Sequence, residues 1–222
     1  MKKLLACLFA FLLPLTASCE AVRMPLTQIV GHTGDGEYIH AYPADNGQTV
    51  YFTALDENPS VTYEDVNFDG VPDLVCTTST GVSNAFCEFF VYQDGLYVQA
   101  EHPGMSYGLC NYVLYPEYGL VFSHANNGFA GALFESCLFA WDGTDLRIIR
   151  RSAGELLTET AFDGETQITT SHHDTVHFTV HHYTPDRFEG FLTFEQTESI
   201  KNEEEIKSIF TKMDEVFWKN IK

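Results

Sequence analysis

Apolar and polar positions alternate in short bursts along most of this chain, and Gly, Pro, Asn, Asp and Ser break the bursts at intervals of about 8 to 12 residues. β-Branched and aromatic runs cover Thr49 to Leu55, Leu74 to Thr78, Ala85 to Tyr92 and Leu96 to Ala100. They resume at Asn111 to Tyr115, Leu120 to Ser123, Ala132 to Trp141 and Leu146 to Arg151, and a further hairpin region spans Thr166 through Gln196. Asp94-Gly95 and Asp142-Gly143 sit between such runs as hairpin turns, since Asp and Gly tolerate the positive φ those turns need. The pattern predicts a mainly β fold, an antiparallel sandwich or barrel-like meander. Cys87 to Gly95 and Cys137 to Gly143 form a weak internal repeat, too short for a propeller.

Helical periodicity occurs only at the end, in residues 197–222. Asn202 followed by Glu203-Glu204-Glu205 reads as a capping-box start. Ile206, Ile209, Phe210, Met213, Val216, Phe217 and Ile221 then recur at helical spacing, which predicts a C-terminal α-helix with its stripe on the sheet. A membrane-surface or partner-binding role for that stripe is the alternative.

The first 18 residues read differently. Lys2 and Lys3 precede an apolar run from Leu4 to Leu13, then Thr16-Ala17-Ser18-Cys19, the form of a secretory signal peptide. The run is shorter than the roughly 20 residues a spanning helix needs. Small residues before Cys19 match a lipobox, with Thr16 where Leu is usual, and predict lipidation at Cys19; cleavage after Ala21 without a lipid is the alternative. An exported cell-envelope lipoprotein, periplasmic or at the cell surface, is expected, touching the membrane through its anchor only. Residues 19–44 form an N-terminal segment after the lipobox, and 45–196 the β domain.

Charge narrows the partners. The chain carries 12 Lys and Arg against 31 Asp and Glu, a formal charge of −19. Such a field disfavours nucleic acid and favours cations or basic proteins, although solubility alone also accounts for it. Cys76, Cys87, Cys110 and Cys137 are an even set in an exported chain and admit two disulfides. Cys76 and Cys87 flank a turn-like segment, which allows a cross-hairpin pair and leaves Cys110 with Cys137, yet four cysteines permit three pairings.

The most specific motif is Asp65-Val66-Asn67-Phe68-Asp69-Gly70-Val71-Pro72-Asp73. Oxygen side chains at Asp65, Asn67 and Asp69 can converge on one point while Gly70 permits the sharp turn, which suits Ca²⁺; the Val71 carbonyl and Asp73 add two positions. Cys76 stands where an EF-hand has its bidentate Glu, and a strand follows rather than a helix. A structural calcium loop in a β context is expected, with an acidic turn free of metal as the alternative. His172 to His182 is rich in histidine, with His173, His177 and His181 on one strand face. Residues four apart on a strand lie about 13 Å apart, so zinc there needs ligands from another strand, such as His124 or a carboxylate. Gly104-Met105-Ser106-Tyr107-Gly108 matches G-x-S-x-G, but a strand follows where a nucleophile elbow requires a helix.

The calcium motif, with Asn84-Ala85-Phe86, Phe89 to Tyr92, Ser123 to Gly128 and Phe139 to Gly143, resembles a family of exported bacterial β proteins. That family includes a periplasmic immunity protein against a secreted lysozyme-like toxin, with a calcium loop and a fold similar to the I-type lysozyme inhibitors. The resemblance covers about residues 45 to 152. It implies a non-catalytic domain that blocks a basic peptidoglycan hydrolase by inserting a loop into its cleft. The known inhibitors use a Ser-Gly-x-Tyr type loop, and this sequence has no Ser-Gly pair. The nearest partner-binding candidates are Ser106, Tyr107 and Gly108, and Asn126, Asn127, Gly128 and Phe129. The alternatives are a generic envelope ligand-binding lipoprotein and a serine or metal-dependent hydrolase using Ser106 or the histidines.

Overall fold

A computed structural model of the chain describes residues 27–103, 108–128, 131–163, 166–184 and 190–221. The protein is mainly β, with three antiparallel sheets and a C-terminal helix. The first sheet is β1 (Gln28–His32), β2 (Tyr38–Pro43) and β3 (Thr49–Ala54). The second orders β4 (Val61–Glu64), β5 (Asp73–Thr80), β6 (Ala85–Gln93) and β7 (Leu96–Gln99), with the short β8 (Leu109–Cys110) also on β6. The third runs β9 (Val113–Tyr115), β10 (Leu120–Gly128), β11 (Leu133–Asp142), β12 (Asp145–Asp163), β13 (Thr166–His182) and β14 (Phe191–Ser199). Apart from β8, each is a meander: strands consecutive in the chain pair with one another.

The sheets stack face to face. Tyr42, Val50 and Phe52 of the first sheet pack on Leu74, Cys76, Phe90 and Tyr97 of the second. The opposite face of the second sheet presents Val75, Cys87, Phe89 and Val91 to Val121, Cys137, Phe139 and Leu146 of the third. The far face of the third sheet carries Leu138, Val176, Phe178 and Val180 beneath α1 (Glu203–Phe217), which contributes Ile206, Ile209, Met213 and Phe217. Neighbouring residues on a strand point to opposite faces, so Leu74 and Val75, or Leu138 and Phe139, belong to different cores. This explains the apolar runs Leu74–Cys76 in β5, Phe89–Tyr92 in β6 and Cys137–Trp141 in β11. Each fully buried Phe, such as Phe89, Phe139 or Phe178, contributes about 1.5–3 kcal/mol of apolar transfer.

Several local expectations are refined. Asp94 and Gly95 form the two-residue β6–β7 turn with φ of 53° and 89°. In the second hairpin Asp142 instead pairs with Asp145, so Gly143 and Thr144 make the turn and only Gly143 takes positive φ, 67°. The segment 19–44, expected to precede the β domain, supplies β1 and β2. Asn202 makes no side-chain capping bond; it enters the helix through its carbonyl, which accepts the Ile206 N–H at 3.0 Å.

The β12–β13 hairpin extends beyond the sheet. Past the bulge between Leu156 and Thr158, Thr158 to Ala161 pair with Ile168 to Ser171 and are exposed on both faces. Neither β11 nor β14 flanks them, so this part of the hairpin is a two-stranded arm.

Candidate functional site

Glu64 pairs with Asp73 across β4 and β5, so residues 65–72 form the connection between them. Phe68 and Gly70 take φ of 66° and 87° to close it. The Asp65 carboxylate accepts the Asp69 N–H at 3.1 Å and the Gly70 N–H at 3.0 Å. Asn67 Oδ1 accepts the Asp69 N–H at 3.0 Å, and Asp69 Oδ1 the Val71 N–H at 2.8 Å. The side chains of Asp65, Asn67 and Asp69 therefore fold back over the loop's own backbone.

Asp73 has another role. It is fully buried, and its Oδ2 accepts the Val66 N–H at 3.0 Å while Oδ1 accepts the Tyr92 N–H at 2.8 Å. Burial pushes its carboxyl above the ordinary range, opposed by the N–H donors of Tyr92, Val66 and Asn67. Val66 is also fully buried, and its carbonyl accepts the Trp141 Nε1–H at 2.8 Å. The loop is thus anchored to the second sheet by Asp73 and to the third by Val66. Among the described residues no three His, Cys, Asp or Glu side chains converge as a metal-binding group. The side-chain oxygens of Asp65, Asn67 and Asp69, with the Val71 carbonyl, are hard donors of the type that could hold Ca²⁺.

The partner-binding candidates are divided by the structure. Ser106, Tyr107 and Phe129, with Cys19 and the signal segment 1–18, lie outside the described residues. Asn126, Asn127 and Gly128, read from sequence as part of a loop, belong to the end of β10: Asn126 pairs with Phe134 and Gly128 with Leu133, across a bulge. Asn126 is held rather than presented. Its N–H donates to Asn84 Oδ1 at 2.9 Å, and its carbonyl accepts Asn84 Nδ2–H at 3.0 Å. Asn111 Nδ2 donates to the Ser83 and His124 carbonyls at 2.9 and 3.1 Å. These amides lock the Gly81–Asn84 turn to β10 and leave Val82, Asn127 and Gly128 exposed.

Gly108 enters the edge of β6 at φ 96°; a Cβ there would lie 2.6 Å from the Cys87 carbonyl oxygen. The short strand β8 follows it. Nearby, His102 Nε2 lies 3.1 Å from Glu88.

The histidines of β13 spread along the sheet. Val176, Phe178 and Val180 face α1, whereas His177 contacts Glu195 at 2.8 Å and His172 lies 3.3 Å from Glu159. His124 is on the α1 side of the sheet, bonded through Nδ1 to Ser136 Oγ at 2.8 Å and stacked on Phe134. It therefore does not complete a zinc site with His177 or His181.

Cys76, Cys87, Cys110 and Cys137 are all free and buried. The cross-hairpin pair is corrected by register: Cys76 lies opposite Glu88 and Cys87 opposite Thr77, and the two thiols enter different cores. Burial pushes the Cys110 thiol up to about 11 and Cys137 up to about 12, so neither supplies a thiolate near neutral pH.

Two features escaped sequence reasoning. One is the β12–β13 arm, whose signal was a Thr-rich stretch lacking a sustained apolar alternation. The other is a cleft between α1 and the third sheet, which depends on long-range packing and left no local signal. Comparison of the chain with family models, with curated proteins and with solved structures finds no match.

Proposed function

We propose that this is an exported, lipid-anchored, calcium-stabilised β protein that acts by binding rather than catalysis, with a basic peptidoglycan hydrolase of lysozyme type as its target. The observation that carries this reading is the 65–73 loop. Its oxygen side chains are already turned inward by backbone donors, and both its ends are buried in neighbouring sheets. Asp65, Asn67, Asp69 and the Val71 carbonyl would hold Ca²⁺, which would supply charge neutralisation for the loop's carboxylates. Asp73 positions the loop. The acidic body complements a basic enzyme, and the projecting arm, like the amide-locked rim at Val82 and Asn127, is an element of the kind that enters a cleft.

A peptidoglycan-clearing assay tests the proposal. The mature domain in calcium buffer is added to lysozymes of several structural classes. Stoichiometric inhibition of one class, weakened by a chelator, is expected; full residual activity in every class removes the hydrolase target. The second reading is an envelope ligand-binding lipoprotein, favoured by the cleft beneath α1.

A further inference from the structure

We infer that the cleft between α1 and strands β10–β12 binds a small monocyclic aromatic molecule, neutral or cationic, that carries a hydrogen-bond donor. The inference deepens the ligand-binding reading and is independent of calcium and of any hydrolase.

The walls are aromatic. Phe122 meets Phe217 edge-on with ring centroids 6.1 Å apart, and Phe134 meets Phe210 edge-on at 5.7 Å. Trp218 lies 5.9 Å from Phe122 and closes one side. Helix and sheet do not fill the space between these rings, and a cleft of about 140 Å³ remains. An engineered apolar cavity of about 150 Å³ accepts benzene, so the volume suits one six-membered ring.

The floor is polar where an ordinary helix–sheet core would be apolar. His124, Ser136 and Ser152 are successive cross-strand partners on β10, β11 and β12, forming a row under the helix. Ser136 and Ser152 are 6% and 7% exposed, and both line the cleft. The Ser136 hydroxyl is engaged by His124. The Ser152 side chain lines the cleft and makes no hydrogen bond to a described residue, so its hydroxyl is available to a ligand. Asp214, exposed on α1, stands at the mouth as an acceptor. Arg150, in the next row, does not line the cleft and donates through Nη1 to the Ile149 carbonyl at 2.8 Å. The arrangement resembles small-molecule sites in general: apolar walls with a few placed polar groups. The acceptor at the mouth and the formal charge of −19 on the chain disfavour an anionic ring.

Isothermal titration calorimetry of the mature protein with phenol, tyramine and benzoate tests this. Saturable binding of phenol and tyramine, with benzoate weaker than both, is expected. Ser152→Leu fills the cleft and abolishes phenol binding, with a melting curve run alongside to establish that the variant folds. Asp214→Asn, at an exposed position, weakens tyramine roughly two- to fivefold, the range for an exposed ion pair. No saturable binding of phenol or tyramine at millimolar concentration overturns the inference. So does phenol binding that a folded Ser152→Leu retains, or benzoate binding as tight as that of tyramine. Clearing activity against lysozymes is a separate readout, so failure of one proposal leaves the other standing.

Discussion

The Asp73 carboxylate accepts the backbone N–H of Tyr92 at 2.8 Å, from a position 19 residues away in sequence. One acidic side chain thereby joins the end of the oxygen-rich loop to the C-terminal end of β6. With its other oxygen on the Val66 N–H at 3.0 Å, it closes the loop from both directions.

Asp73→Ala should be among the most damaging single changes in the domain. It leaves two buried N–H groups without acceptors, at about 1–3 kcal/mol each. Denaturant unfolding should show a loss of about 3 kcal/mol or more, calcium being absent. Asp69→Asn, on the exposed side of the loop, should cost less than about 1 kcal/mol in the same measurement. It should also diminish any rise in melting temperature produced by calcium; an undiminished rise would exclude the loop as the calcium site.

Acidification should destabilise the fold through its histidines. Burial lowers the pKa of His181 below 6.5, with Arg151 reinforcing the shift and Glu155 and Glu195 opposing it. His182 is lowered by burial and then by Arg150, and His124 by burial. A base whose folded pKa is depressed binds more protons when unfolded, so stability rises with pH across the interval between folded and unfolded values. Stability should therefore fall as pH drops from 7 through the ordinary histidine pKa, levelling once the folded histidines protonate. Equilibrium unfolding at a series of pH values checks this, and His181→Gln should flatten part of the slope.

Thiol chemistry should follow burial. Under native conditions an alkylating reagent should leave Cys76, Cys87, Cys110 and Cys137 unlabelled, and denaturant without reductant should expose all four. Reductant should not change the melting temperature. Mass spectrometry of a non-reduced digest showing a Cys76–Cys87 link would contradict the register.

The β12–β13 arm should be dispensable for folding. Thr158 to Ala161 and Gln167 to Ser171 are exposed, so replacing residues 158–171 with a tight turn should shift the melting temperature by only a few degrees. The same shortening should abolish hydrolase inhibition if the arm is the element that enters the enzyme's cleft, which the clearing assay reads directly.

What was legible in the chain was local in origin. Period-two alternation, Asp94-Gly95 and the 3.6-residue stripe from Ile206 to Ile221 depend on φ, ψ and side-chain direction over a few residues, so they predicted most strands, the β6–β7 turn and the helix. The phase of the acidic loop was equally readable, because Asx side chains bond to backbone groups two to five residues away. Interactions between distant strands decided the rest. Cys76 and Cys87 look like neighbours across a hairpin, but the register sends them to opposite faces. Asp73 reads as a ligand and is an anchor, since its partner Tyr92 lies on another strand. Asn126 to Gly128 read as a loop, yet Phe134 and Leu133 extend β10 through them. The polar row of His124, Ser136 and Ser152 exists only because three strands align in register, and a cleft remains above it because α1 brings rings rather than small side chains to that floor.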